Sequence, residues 1–314
     1  MGKVAFVFPG QGSQTVGMGA DLINAYPEAK EMFAAADRHL GFPLTELILN
    51  GPEEALKKTE NTQPALLTVS AVLCHLLETK GVHPDYVAGH SLGEYSALFA
   101  AGVLNFEDAV YAVRKRGLLM EAAVPAGKGT MAAVLGLDVE QLKQICLQIT
   151  DQGDSVQTAN INCPGQIVIS GTVAGVEKAS ERAAESGARR VVPLSVSGPF
   201  HSSLMKPAAE QLRDVLDALP VSNAKIPVVA NSTAQEETKA QEIRDHLIEQ
   251  LYSPVRWIES VERLNALGVD TFVEVGPGKV LSGLIRKINR KSTVLQVSDA
   301  QSLSEVTEQL KERV

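Results

Sequence analysis

The chain has little of several things, and each shortage removes a class of function. Its 314 residues hold three cysteines, Cys74, Cys146 and Cys163, odd in number, far apart and without a CxxC pair. They cannot build a disulfide framework, and free thiols of this kind suit a reducing, cytoplasmic setting. No cysteine and histidine pair stands at metal-ligand spacing, so no metal site is expected. No run of eighteen apolar residues occurs, so no membrane-spanning helix is expected either. The opening MGKVAFVFPG is interrupted by Pro9 and Gly10 too early for a signal peptide, and reads as a first strand. Positive charge is in deficit: 29 Lys and Arg against 37 Asp and Glu leave a net charge of −8. That balance disfavours wholesale binding to nucleic acid or anionic lipid, so any acidic partner must meet a local basic patch. Two glycine-rich stretches fall short of nucleotide motifs. FPGQGSQTVGMG spaces its glycines GxGxxxxG rather than GxGxxG, and VGPGKVL lacks the GxxxxGK[ST] form.

What is present is the composition of a globular protein, 45% hydrophobic and 21% charged, with chain enough for a sizeable core. Short apolar runs (4–8, 86–88, 226–230 and 271–275) alternate with helical patterns (63–79 and 92–101), which favours an α/β fold with a mainly parallel sheet. The middle is ordered differently: strand 131–135, helix 139–149, strands 156–162 and 166–170, helix 174–185, strand 189–194. That is the β-α-β-β-α-β order of a ferredoxin-like unit. VPAGKG and VSGPF flank it, and both suit crossings between domains. The expected organisation is a large α/β-hydrolase-like catalytic domain over 1–124 and 199–314, with a small ferredoxin-like domain over 125–198 inserted. From about Leu303 the tail reads as a charged amphipathic helix on the surface.

The stretch VAGHSLGEY places Ser91 between Gly89 and Gly93, after an apolar strand and before a helix. In a GxSxG elbow the glycines permit a sharp turn and close helix packing, and the serine is held at an exposed apex beside free helix N–H groups. The same pattern also fits an ordinary structural turn, and a nucleophile would need a base. Of six histidines, His39, His75 and His246 sit in helical patterns and His83 in a loop. His90 adjoins Ser91, where side chains diverge, so a structural role suits it better. His201, after SGPF and at the start of a helical HSSLMKPAAEQL, is the best placed base. No good triad acid lies between Ser91 and His201, since Asp138, Glu140, Asp151 and Asp154 fall in helix starts and loops of the small unit. A Ser-His dyad steadied by a backbone group is therefore at least as apt as a triad.

Taken together, FPGQGSQ, GHSLGEYSAL, the RG at Arg116 with Met120 following, ANINCPGQIVISG, GPFH, NSTA and EQLYSPVRW make a set found in order along nearly the full chain. In this set the chain resembles the malonyl-CoA:acyl carrier protein transacylases of fatty-acid synthesis, a family whose motifs also occur in polyketide synthase acyltransferase domains. The resemblance implies that Ser91 is the acylated nucleophile and His201 its base and acid. It implies that the Gln250 backbone carbonyl orients His201, that the N–H groups of Gln11 and Leu92 form an oxyanion hole, and that Arg116 forks onto the malonyl carboxylate. Phe200 would narrow the pocket to malonyl, and Asn160 and Asn231 would support the site. Read without the resemblance, Arg116 in RKRG is an ordinary solvated helix charge and Phe200 a core aromatic.

Malonyl-CoA would then be a substrate, acyl carrier protein the partner bringing its own phosphopantetheine, and no resident cofactor would be needed. Carrier proteins of this type are acidic, so LIRKINRK, with Arg286, Lys287, Arg290 and Lys291, is a candidate docking patch, and Arg189 with Arg190 a second. The rival readings are a serine esterase or thioesterase with the same GxSxG, which would not need Arg116, and a non-catalytic acyl-CoA-binding protein, whose serine would never be acylated.

Overall fold

The computed structural model describes residues 2–311. Among the described residues ten strands form two sheets: β1 (Lys3–Phe8), β2 (Tyr86–Gly89), β3 (Gly129–Leu135), β4 (Val156–Cys163), β5 (Gln166–Thr172), β6 (Arg190–Pro193), β7 (Val228–Val229), β8 (Glu236–Glu237), β9 (Val269–Val275) and β10 (Thr293–Val297). The first sheet runs β10-β9-β1-β2-β7-β8, parallel except for β8. The second, β4-β5-β3-β6, is antiparallel throughout.

β1 explains why the first sheet is a core element. Ala5 to Phe8 are all buried, as expected of a parallel strand with both faces covered. Phe6 and Phe8 pack into the larger cluster, with the helices Thr59–Thr79 and Leu92–Ala100, while Ala5 and Val7 face Trp257 and Leu281 on the other side. Each such large side chain contributes about 1.5–3 kcal/mol on burial. In the second sheet the same alternation puts Ala132 and Val134 against the helices Val139–Asp151 and Val173–Glu185, and turns Met131 toward the large core.

Several boundaries differ from expectation for identifiable reasons. The helix expected from Gln63 begins at Thr59 and carries Pro64 inside it. Proline cannot donate to the Glu60 carbonyl, and Arg114 Nη1 does so instead at 2.6 Å. The strand expected at 226–230 shrinks to Val228–Val229, because Pro227 has no N–H for the ladder, though its carbonyl still accepts from Val87. His201 does not open a helix. It has φ of +57°, a short 3-10 turn Ser203–Met205 follows, and the helix Lys206–Asp217 starts with Pro207 in its first turn. The last helix, Ala300–Lys311, is not a surface appendage, for Leu303, Val306 and Leu310 are buried in the main core. β8 and β10 were unexpected: β8 is too short to carry a period, and the Lys291-Ser292 approach hides β10.

Candidate active site

β1 and β2 end side by side, Phe8 opposite Gly89, and their exits meet Asn231 beyond β7. At the elbow a Cβ on Gly89 would lie 1.9 Å from the Gly93 carbonyl carbon, and one on Gly93 would lie 2.0 Å from Phe8 O. Only glycine lets the helix Leu92–Ala100 start this close to the strand. Ser91 is held at φ 51°, ψ −108°, a conformation L-residues rarely adopt and one that tertiary packing must enforce. The Asn231 side chain supplies part of that force: its Oδ1 accepts from Ser91 N at 2.7 Å and its Nδ2 donates to Gly89 O at 2.6 Å.

Ser91 Oγ lies 2.7 Å from His201 Nε2, and His201 Nδ1 lies 2.8 Å from the Gln250 carbonyl. A carbonyl only accepts, so Nδ1 carries the proton and Nε2 is left as the acceptor for the serine O–H. His201 is buried, with 3% exposure. Burial first, and then the Arg116 charge, press its pKa down to about 3, so the imidazole is neutral in the resting site. Gln157 of β4 fixes the segment from behind, donating to the carbonyls of His201 and Tyr252 and accepting from Ser203 N.

Arg116 is not a solvated helix charge. It is 1% exposed, on the helix Phe106–Ala122, and no ion pair reaches it among the described residues. Its Nη1 donates to Gln63 Oε1 at 2.8 Å, and its Nη2 donates to Gln250 Oε1 at 2.8 Å and Ser91 Oγ at 3.1 Å. Its Nε–H finds no acceptor among the described residues. A buried cation held by neutral amides is expensive unless something anionic comes to it.

A cavity of about 120 Å³ opens onto these groups, lined among others by Gln11, Leu92, Asn160, Met120, Met131 and Phe200. The Gln11 side chain donates from Nε2 to Thr59 Oγ1 at 3.3 Å. Leu92 begins a helix, where the first N–H groups lack intrahelical partners. Phe200 is 5% exposed and belongs to both the core and the wall. All nine residues singled out from sequence thus converge here. His90 does not join them chemically: its ring reaches Asn162 Oδ1 at 2.8 Å and packs on Trp257. Arg286, Lys287, Arg290 and Lys291 are exposed and outside the cavity, as are Arg189 and Arg190.

Two residues at the site escaped the sequence reading. Gln63 holds Arg116 from the buried first turns of the helix Thr59–Thr79. Glu94, wholly buried, accepts from Asn231 N at 3.0 Å and Gln250 Nε2 at 2.8 Å. A charged residue in the otherwise apolar run LGEYSALFA was the available signal. No cluster of side chains suited to a metal ion occurs among the described residues, and none of their helices is long and apolar enough to cross a membrane.

The acyl transferase domain family matches residues 5–312. A malonyl CoA-acyl carrier protein transacylase of Bacillus subtilis (strain 168) is 56% identical over 312 residues, 99% of this chain and 98% of that protein. Among solved structures, a transacylase of the same name from Coxiella burnetii superposes with a TM-score of 0.96 at 40% identity, over 98% of both chains. A malonyl-transacylase in complex with a type II polyketide synthase acyl-carrier protein gives 0.95 at 45% identity, over 98% of this chain and 99% of that one.

Proposed function

The chain belongs to the acyl transferase domain family, and on that premise we propose that it moves the malonyl group of malonyl-CoA to the phosphopantetheine thiol of acyl carrier protein through an acyl-serine. The observation that carries the reading is a buried guanidinium, without a carboxylate partner among the described residues, 3.1 Å from the nucleophile oxygen. Malonyl differs from acetyl by one carboxylate, and a planar fork with free donors is the group that distinguishes them.

In the first half-reaction His201 Nε2 takes the Ser91 proton as Oγ bonds to the thioester carbonyl carbon. The carbon–sulfur bond breaks, and His201 returns the proton to the leaving CoA thiolate. In the second, the carrier thiol gives its proton to His201 and attacks the acyl-serine, and Ser91 leaves protonated. The backbone N–H groups of Gln11 and Leu92 receive the oxyanion, each such donor being worth about 3–4 kcal/mol. The Gln250 carbonyl steadies the imidazolium. The Arg116 charge that depresses His201 is offset once a malonyl carboxylate sits on it, so substrate binding makes His201 the stronger base. Phe200 bounds the acyl pocket, Asn160 lines it, and Asn231 holds the elbow.

The two sheets support keeping 1–124 with 199–314 as an α/β-hydrolase-like unit and 125–198 as an inserted ferredoxin-like one, the second by its β4-β5-β3-β6 order. No resident cofactor enters the scheme, and the setting we infer is cytoplasmic. Mixing the protein with malonyl-CoA should add one malonyl group to Ser91, stable until a carrier is supplied. Rapid release of free malonate instead would make the protein a thioesterase.

For docking, the two basic clusters support one surface. Lys287 Nζ lies 3.4 Å from Gln166 Oε1, and Gln166, Leu135 and Arg190 stand abreast on β5, β3 and β6. Two strand spacings, roughly 10 Å, separate Gln166 from Arg190. Reversing the charge of Arg286 and Lys287 together is expected to lower carrier-dependent kcat/KM about tenfold or more at low salt and flatten its salt dependence. An unchanged rate and salt slope would place the carrier elsewhere.

A further inference from the structure

Glu94 is a buried ionisable group of the site that the acyl-transfer scheme leaves unused. Glu94 Oε2 accepts from both Asn231 N and Gln250 Nε2. Those two residues in turn touch everything that reacts. Asn231 Oδ1 holds Ser91 N, the Gln250 carbonyl holds His201, and Gln250 Oε1 holds Arg116. Because the Gln250 amide nitrogen is taken by Glu94 at 2.8 Å and by the Ser91 carbonyl at 3.0 Å, its oxygen is the end presented to the guanidinium; the flipped amide would set N–H against N–H. Glu94 therefore helps fix the sense of the amide that holds Arg116, on the residue whose backbone carbonyl holds His201.

The setting also decides in which form it does so. Glu94 is fully buried, and its other oxygen, Oε1, has no hydrogen-bond partner among the described residues. Glu237 Oε1 is equally unpartnered, while Glu237 Oε2 is engaged by His246 Nδ1, one turn before Gln250 on the same helix. An anion at Glu94 would be desolvated, with the carboxyl of Glu237, itself pushed up by burial, as a further acid acting on it. We propose that Glu94 is a positioning residue kept as a neutral carboxylic acid, so that Arg116 keeps its full charge for the malonyl carboxylate, and that ionising Glu94 weakens the selection of malonyl over an uncharged acyl group. This rests on the role given to Arg116 above.

Burial first, and then Glu237, push the Glu94 carboxyl up to about 8, with Gln250, Asn231 and Arg116 acting in the opposite sense. The acid is thus protonated at neutral pH and becomes an anion above about pH 8, where it offsets part of the Arg116 charge. The charged groups acting on it are Glu237 of β8 and Arg116 of the helix Phe106–Ala122. Tyr95 on its own helix, His201 beside Ser91 and His246 behind Glu237 complete the titratable groups of the network. Lys3 of β1, Tyr86 of β2, and Glu60, Cys74, His75 and Glu78 of the helix Thr59–Thr79 are on elements packed against the Glu94 helix and do not act on it.

The test is single-turnover loading of Ser91 from malonyl-CoA and from acetyl-CoA, followed from pH 6.5 to 9.5 on the whole protein. The ratio of the two rates cancels the pH effects on nucleophile and base that both substrates share. In the wild type the ratio is expected to fall roughly tenfold across this range, the size of a charge coupling of about one pK unit. Glu94→Gln keeps the acceptor oxygen and the neutrality, and is expected to hold the ratio flat with pH. Glu94→Ala releases Asn231 and Gln250 and should lower loading of both substrates about a hundredfold, which Glu94→Gln rescues. A wild-type ratio that does not change with pH overturns the proposal whatever the variants do. So does a Glu94→Gln protein that has lost malonyl selection at pH 7, the result expected had the carboxylate been the working form. Arg116→Ala separates the roles of the two residues: if it still prefers malonyl, Arg116 does not select the carboxylate, whereas lost preference there with a pH-independent wild-type ratio refutes only the role of Glu94.

Discussion

Ser91→Ala is expected to take up no acyl group from malonyl-CoA and to lower carrier malonylation about 10⁴-fold or more, as when one member of a concerted nucleophile–base unit is removed. The size follows from how completely the site is built around one oxygen. Ser91 Oγ is the acceptor of the Arg116 bond and the partner of His201 Nε2. Its strained backbone is held by Asn231 and the two elbow glycines, none of which depends on the hydroxyl. Alanine therefore leaves the fold in place, and the melting temperature should move by no more than a few degrees, about the effect of 1 kcal/mol or less in a protein of this size. Intact-mass measurement after incubation with malonyl-CoA reads the first half-reaction, and transfer to the carrier reads both. Retained transfer, or an adduct on another residue, would sink the assignment.

Arg116→Ala is expected to change which acyl group is loaded more than whether one is. A buried charge pair broken on one side costs on the order of 3–5 kcal/mol, so malonyl loading should fall roughly 10²–10⁴-fold. Acetyl-CoA brings no carboxylate, and its loading should fall little or rise, since removing the charge also lifts one of the three influences that depress His201. The acetyl rate doubles as the check on folding, because Gln63 and Gln250 each lose a donor in the variant. Arg116→Lys is not expected to restore selection: an ammonium is a point charge and cannot serve Gln63, Gln250, Ser91 and a carboxylate from one plane. Equal loss of malonyl and acetyl loading would mean that Arg116 is structural.

Residue type and spacing along the chain were enough to determine the alternation of strands and helices, the run of elements that builds the second sheet, the elbow at Ser91 and the histidine that meets it. Those features are local, or they repeat with the period of the element that carries them, so one dimension records them. Ends of elements were less legible, because they depend on partners far away. Arg114 allows Pro64 inside a helix by supplying a bond to Glu60, and Pro227 cuts a strand to two residues only because β2 and β8 are its neighbours.

Tertiary structure alone decided what charge means at each place. Arg116 within RKRG has the pattern of a solvated face, yet it is buried among Gln63, Gln250 and Ser91, residues 53, 134 and 25 positions away. Glu94 follows the elbow in plain view, and nothing nearby in sequence says that it meets Glu237 and Gln250 or that it would be held neutral. The basic clusters at 189–190 and 286–287 look like rivals until Gln166 and the second sheet bring them to one surface. Periodicity reports which face of an element is buried; protonation, ion pairing and selectivity depend on what arrives at that face from the rest of the chain, and only the fold specifies that.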